Sequence, residues 1–274
     1  NHDVAISPTA TAPYLLATAD FEGGVTLWEQ SSSHAGHASH KGATVLRTLS
    51  GHQGAVEAVA FHPAGTHLAS AGSDNQVILW RAADGTRLAS ATDHGDRVTS
   101  VAFSPDGQRL ATGSADKTIR LWSTADDRLT LIATLTGQTD EVTSVNFHPR
   151  QPLLLSGSYD KTVRLWQIPA GTRLAGNPSS TKATLVQTLS EPNEAVSGVQ
   201  FSPKGDRIAA ASWDSQLYVW QLQGQSPQLL TTLGGHDGGV SALAFSAEGQ
   251  TLVSGSASGT VQLWNSHSGQ RLKR

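Results

Sequence analysis

The chain contains neither cysteine nor methionine. Without cysteine there is no disulfide, no thiolate metal site and no cysteine nucleophile. A natural chain begins with methionine, so Asn1 is expected to be an internal residue of a longer protein, a processed end or a chosen boundary. Charge is also scarce: 15% of residues are charged, 19 basic against 22 acidic, for a net charge of −3. That balance argues against an overall electrostatic footprint for nucleic acid or anionic lipid. No stretch approaches the roughly 18 unbroken apolar residues that a membrane helix needs, and no basic segment followed by an apolar one marks a signal peptide. The reading is of a soluble, cytoplasmic domain without nucleic-acid or membrane partners. The one Asn-x-Ser/Thr triplet, Asn177-Pro178-Ser179, is disqualified as a glycan acceptor by its proline. Gly-rich phosphate loops, Gly-x-Ser-x-Gly elbows and His-Glu-x-x-His pairs are missing too, and the acids fall mainly in turns. No catalysis and no cofactor are expected.

What is present is a repeat. Turn dipeptides recur among short apolar runs, which favours an all-β chain. Val98 to Trp122 is the most regular copy: an alternating run (Val98, Val101, Phe103), a Ser104-Pro105-Asp106-Gly107 turn, a run from Leu110 to Thr112, a turn at Asp116-Lys117, and a run from Ile119 to Trp122. Pro presets φ in the first turn and Gly accepts the conformation that closes it, so three antiparallel strands follow. Runs ending in Trp recur at Trp28, Trp80, Trp122, Trp166, Trp220 and Trp264, spaced by 52, 42, 44, 54 and 44 residues. First strands end at Ile6, Phe61, Phe103, Phe147, Phe201 and Phe245, and a fourth apolar segment follows every Trp. Six four-stranded units result, at about 1–50, 51–92, 93–136, 137–190, 191–234 and 235–274, within one domain spanning 1–274. The two long spacings come from insertions at Glu29 to Ala43 and Ile168 to Ala183, both read as exposed loops.

The pairs Gly51-His52 and Gly235-His236, the turn Phe103-Ser104-Pro105-Asp106-Gly107 and the stretch Ser156-Gly157-Ser158-Tyr159-Asp160 resemble the marks of the WD40 repeat family. The resemblance covers nearly the whole chain. It implies a β-propeller of four-stranded antiparallel blades, first strand innermost. Six blades are readable, although seven are usual in the family, and an upstream seventh is expected in the parent protein. The regular, cysteine-free sequence is similar to bacterial members. The resemblance also implies a hydrogen-bonded relay of His, Ser or Thr, Asp and the Trp indole. The full set stands at His52, Ser70, Asp74 and Trp80, and at His94, Thr112, Asp116 and Trp122. The first unit offers only Thr18, Glu22 and Trp28. Gln138 replaces His in the fourth, Ser258 replaces Asp in the sixth, and the fifth has Pro192 and Ala210 at two positions. The fifth blade is therefore expected to be the loosest, or to use water.

Function is sought in what the repeat does not require. Phe21, Tyr159 and Trp213 stand immediately before the turn acid or its stand-in, and in the family this position rims the top face. Glu57, Arg97 and Glu141 flank the first strands there. With the aromatics they form the expected partner-binding surface for a protein or peptide, since aromatics and Arg anchor interfaces. Alternatives are a regulatory or sensory module of a larger signalling protein or enzyme, and small-molecule or glycan binding in a central channel. His34, His37 and His40 form a tract that would bind a metal only weakly, and a solvated loop is the favoured reading. His62 and His148 are expected to serve their turns.

Overall fold

In every blade the pleat sorts side chains onto two unlike faces, because residues paired across strands share a side of the sheet. In the fifth blade Phe201 pairs with Ile208 and Ile208 with Trp220, giving a Trp face. Gln200 pairs with Ala209 and Ala209 with Val219, giving an aliphatic face of smaller side chains. The computed structural model describes residues 3–8, 14–30, 42–169 and 182–273. They form six four-stranded antiparallel sheets in which sequential strands are neighbours, the blades of a β-propeller. The first strands are Val4–Ile6, Val56–Phe61, Val98–Phe103, Val142–Phe147, Val196–Phe201 and Val240–Phe245. Most of both insertions, including His34, His37 and His40, lies outside the described residues.

The chain divides into two compact units, Asn1–Asp116 with Leu121–Ile132, and Lys117–Arg120 with Ala133–Arg274. The first holds blades 1 and 2 and most of blade 3, and the second holds blades 4 to 6. Within each unit the Trp face of one blade lies on the aliphatic face of the blade before it. In the first unit Leu68, Ile78 and Trp80 cluster with Ala17, Ala19, Val25 and Leu27. Val98, Leu110 and Trp122 likewise cluster with Ala69, Ala71 and Val77. In the second, Ile208 and Trp220 meet Leu153, Leu155, Val163 and Leu165, and Trp264 meets Ala209, Ala211, Leu217 and Val219. A Trp buries about 150–250 Å², worth several kcal/mol at about 25 cal/mol per Å². Polar side chains then fix the register between blades. Phe201 N–H donates to Asn146 Oδ1 at 2.9 Å, Phe245 N–H to Gln200 Oε1 at 2.9 Å, and Val59 N–H to Asp3 Oδ2 at 2.9 Å. Burial raises the pKa of Asp3 above the ordinary carboxylate value.

The relay closes in both complete blades. Trp80 Nε1–H donates to Ser70 Oγ (2.8 Å), Ser70 lies 2.8 Å from His52 Nε2, and His52 Nδ1 lies 2.9 Å from Asp74. Trp122, Thr112, His94 and Asp116 repeat it at 2.9, 2.7 and 2.8 Å. A neutral imidazole protonated on Nδ1 satisfies every member of this chain. Elsewhere other residues take the vacant roles. Gln138 Nε2 donates to Ser156 Oγ at 3.0 Å in place of His, and Thr260 Oγ1 sits 3.0 Å from His236 Nδ1 in place of Asp. Glu22 does not act as the first blade's turn acid: it is exposed, and Asp20 accepts the amides of Glu22 and Gly24.

The fifth blade is not loose. Its strands Arg207–Ser212 and Gln216–Gln223 have a buried interior, and Tyr218 O–H donates to Asp214 at 2.7 Å while stacking on Trp220. Burial and the adjacent Asp214 push the Tyr218 pKa up to about 12. Trp220 Nε1 alone among the six closing indoles is buried without a hydrogen-bond partner among the described residues, because Ala210 stands where the other blades have Ser or Thr. His62 and His148 do more than serve their turns. His148 Nδ1 accepts the amides of Arg150 and Gln151, and its Nε2 reaches Gly205 O of the next blade at 3.0 Å. The ring of His62 lies against Gly107 of the next blade, where a Cβ would stand 1.9 Å from it.

Two predictions follow from this polar core. Ala210→Ser should stabilise the protein by about 1 kcal/mol in urea unfolding, by giving the Trp220 indole an acceptor. Ala209→Ser, on the opposite face, should destabilise it by about 1–3 kcal/mol through an unpaired buried hydroxyl. Burial lowers the pKa of His52, His62 and His148 below 6.5 in the folded protein. The stability this contributes is full above pH 6.5 and is lost as pH falls through the depressed folded values. Melting temperature should therefore drop between about pH 7 and about pH 5, whereas a flat profile over that range would contradict the assignment of neutral imidazoles.

Candidate functional site

A meander places the turn between its second and third strands at the same end as the start of its first strand. One repeated hydrogen bond locks the two together. The N–H of the residue before the turn acid donates to the carbonyl of the residue preceding the first strand: Ser73 to Ala55, Ala115 to Arg97, Tyr159 to Glu141, Trp213 to Ala195 and Ala257 to Gly239, all at 2.8–3.0 Å. The turn itself is tight, with positive φ at Gly23, Asn75, Lys117, Lys161, Ser215 and Gly259. Blades 2 to 6 thus each present a pair of positions at this end whose backbone is fixed.

The residues singled out from sequence fall into both units and are taken unit by unit. In the first, Phe21 is 68% exposed, while Glu57 and Arg97 are half-buried. In the second, Tyr159 is 39% and Trp213 44% exposed, and Glu141 is half-buried beside Tyr159. All three aromatics are therefore presented to solvent. Trp213 also has a packing role. Its ring lies on Gly239 at the start of the next blade, and a Cβ there would stand 2.3 Å from the indole.

Three neighbours complete this patch, and sequence reasoning missed them. Lys161 Nζ crosses to the next blade, donating to Asn193 O at 2.8 Å and pairing with Glu194 at 3.2 Å. Lys161 follows the turn acid by one residue, and Asn193 and Glu194 immediately precede Ala195. Their register was legible, but not which way the lysine would lean. The second unit therefore offers two aromatic surfaces near a lysine and a carboxylate, all at one end of the fourth and fifth blades. This combination suits burial of an apolar side chain with a polar rim.

At the opposite end of the first unit a cleft of about 510 Å³ is lined by Leu15, Thr66, His67, Arg81, Ala83 and Asp127, among others. Asp127 holds His67 Nε2 at 2.9 Å and Arg81 at 3.4 Å, so the charges lining it neutralise one another. Residues so far apart in sequence gave no signal of it. Among the described residues no group of three or more His, Asp or Glu is placed to hold a metal ion, and no helix is long and apolar enough to cross a membrane.

A family model described as WD domain, G-beta repeat matches residues 43–81, 84–123, 129–167, 183–221 and 227–265, more than half of the chain. Each match runs from an outermost strand to the closing Trp of the next blade. The chain is similar to a periodic tryptophan protein 2 homolog of Schizosaccharomyces pombe, 44% identical over 77 residues, or 26% of this chain and 9% of that protein. It is similar to WD repeat-containing protein 1 of Gallus gallus, 37% identical over 81 residues, or 28% of this chain and 13% of that protein. It is similar also to small ribosomal subunit protein RACK1y of Oryza sativa subsp. japonica, 40% identical over 79 residues, or 28% of this chain and 23% of that protein. The matches thus span from about a tenth to under a quarter of these curated relatives. All three are eukaryotic, so the expected bacterial character finds no support in them.

The contact of Trp213 with Gly239 can be tested directly. Gly239→Ala should cost about 1–3 kcal/mol in urea unfolding, because the ring or the strand must shift. Gly238→Ala, whose new methyl would meet nothing closer than 3.4 Å, should be nearly neutral.

Proposed function

This chain belongs to the WD40 family of WD domain, G-beta repeats, and from that premise we propose that it holds a protein or peptide on the blade ends carrying Tyr159 and Trp213. WD repeat proteins are in general non-catalytic scaffolds for protein interaction, and that level of description applies here. The finer assignment rests on one observation. Tyr159 and Trp213 keep 39% and 44% of their surface in water although a backbone hydrogen bond fixes the position of each. A rigid, half-exposed aromatic loses little conformational entropy on binding, which is why Tyr and Trp dominate interface energetics. Lys161 and Glu194 supply a polar rim. Phe21, with Glu57 and Arg97, offers a second contact area on the first unit. The net charge of −3 is the reason we assign neither nucleic acid nor an anionic membrane as the partner. A cytoplasmic location is part of the same proposal.

Immobilised chain and its Tyr159→Ala/Trp213→Ala variant would be compared for capture from a lysate of the source organism. The reading expects bound proteins to be lost from the variant, with affinity for the purified partner at least about thirtyfold weaker. Glu248→Ala, at the opposite end of the sixth blade, should retain them. The same proteins held equally by all three, with melting temperatures confirming folded samples, would refute this placement of the site.

A further inference from the structure

Charge is divided unevenly between the two ends of blades 4 to 6. Nine Asp and Glu residues stand between Ala133 and Arg274, and seven of them lie at the end that carries Tyr159 and Trp213. Asp140, Glu141, Glu191, Glu194 and Asp237 occupy the loops leading into the first strands, and Asp160 and Asp214 the turns between second and third strands. Against them at this end are set Lys161, Arg164, which pairs with Asp160 at 3.3 Å, and Arg271, whose guanidinium comes near Gly235. At the opposite end Asp206 and Glu248 face Arg150, Lys204 and Arg207. Only one end of these blades is acidic.

Within that end, acid and aromatic coincide at one register. Ser158 Oγ donates to the carbonyl of Asp140 at 3.1 Å and Ser212 Oγ to that of Glu194 at 3.2 Å, so an exposed carboxylate residue is tied beside Tyr159 in the fourth blade and beside Trp213 in the fifth. The same two positions hold Gly238 and Ala257 in the sixth blade, and Gly54 and Ser73 in the second. Lys161 already reaches Glu194 at 3.2 Å, which shows the charge this carboxylate accepts. An acidic segment laid here would meet like charge. A purely apolar one would cover the rings but strip water from the carboxylates without replacing it. Arginine satisfies both groups, because its planar head stacks on an aromatic face and donates to carboxylates while its stem is apolar. The inference rests on the reading that Tyr159 and Trp213 hold the partner, and it adds the partner's chemistry. We propose that the bound segment is basic and lays arginine side chains on Tyr159 and Trp213, with Asp140 and Glu194 as their carboxylate partners.

The probe is a phage-displayed library of random peptides, selected on the immobilised chain at low salt. Enriched peptides should be rich in Arg and carry net positive charge. The most enriched one, synthesised with a fluorescent label, should bind at least about tenfold more weakly when salt rises from about 50 mM to about 200 mM. Asp140→Asn/Glu194→Gln should weaken it at least about tenfold, as should Tyr159→Ala/Trp213→Ala, whereas Glu248→Gln at the opposite end should leave it unchanged. Melting temperatures confirm that each variant is folded. Enriched peptides that need Tyr159 and Trp213 but are neutral or acidic would overturn the basic chemistry and leave the site standing. Basic peptides that bind the Asp140/Glu194 variant as tightly as the original chain would overturn the role of the carboxylates. Peptides held equally by every variant would overturn the inference and the site together. A selection that enriches nothing would overturn the inference, and the capture comparison above would then decide the site by itself.

Discussion

Everything in this fold depends on the contact between a Trp face and an aliphatic face. Each blade is too thin to bury its own apolar side chains, since a four-stranded sheet has two faces and no second layer. Stacking solves this by giving each blade one bulky and one shallow side, so that within each unit a large indole meets Ala, Val or Leu of the blade before it. The contact is directional: within each unit the Trp face belongs to the later of two neighbouring blades. Trp80, Trp122, Trp220 and Trp264 all obey that rule within their units.

The polar relay is subordinate to this contact. It tethers the turn at one blade end through the Trp indole, and the fold tolerates different residues in its roles provided that donors and acceptors match. Gln138 substitutes for His, Thr260 for Asp, and Tyr218 engages Asp214 where no His is available. The fifth blade illustrates the order of importance. It lacks the relay hydroxyl and leaves an indole N–H unpaired, yet its interior is fully buried. Area removed from water outweighs one missing hydrogen bond, as the magnitudes of several kcal/mol against about one indicate.

The same tether makes the functional surface. Because the backbone of Tyr159 is fixed to Glu141 and that of Trp213 to Ala195, their side chains are relieved of holding the turn and can face solvent. Trp213 divides its surface between the two tasks, covering Gly239 with one part and leaving the rest open. Packing and display are consequently not exclusive readings of one aromatic residue. How far the ring is held by the next blade sets how rigidly it is offered to a partner.

Sequence alone determined the six blades, their four strands, the closing Trp residues and both complete relays. The blades, strands and Trp residues follow from local periodicity, turn chemistry and repetition, which require no knowledge of distant contacts, and the relays are what the resemblance to the WD40 repeat family implies. It also determined which aromatics the repeat does not need. Only the tertiary structure decided the rest: that Glu22 yields to Asp20, that Thr260 and Tyr218 fill vacant roles, that Lys161 crosses to Glu194, and that His62 and His148 reach the following blade. Each depends on a side chain's direction or on a partner in another strand or blade, and spacing along the chain does not encode either.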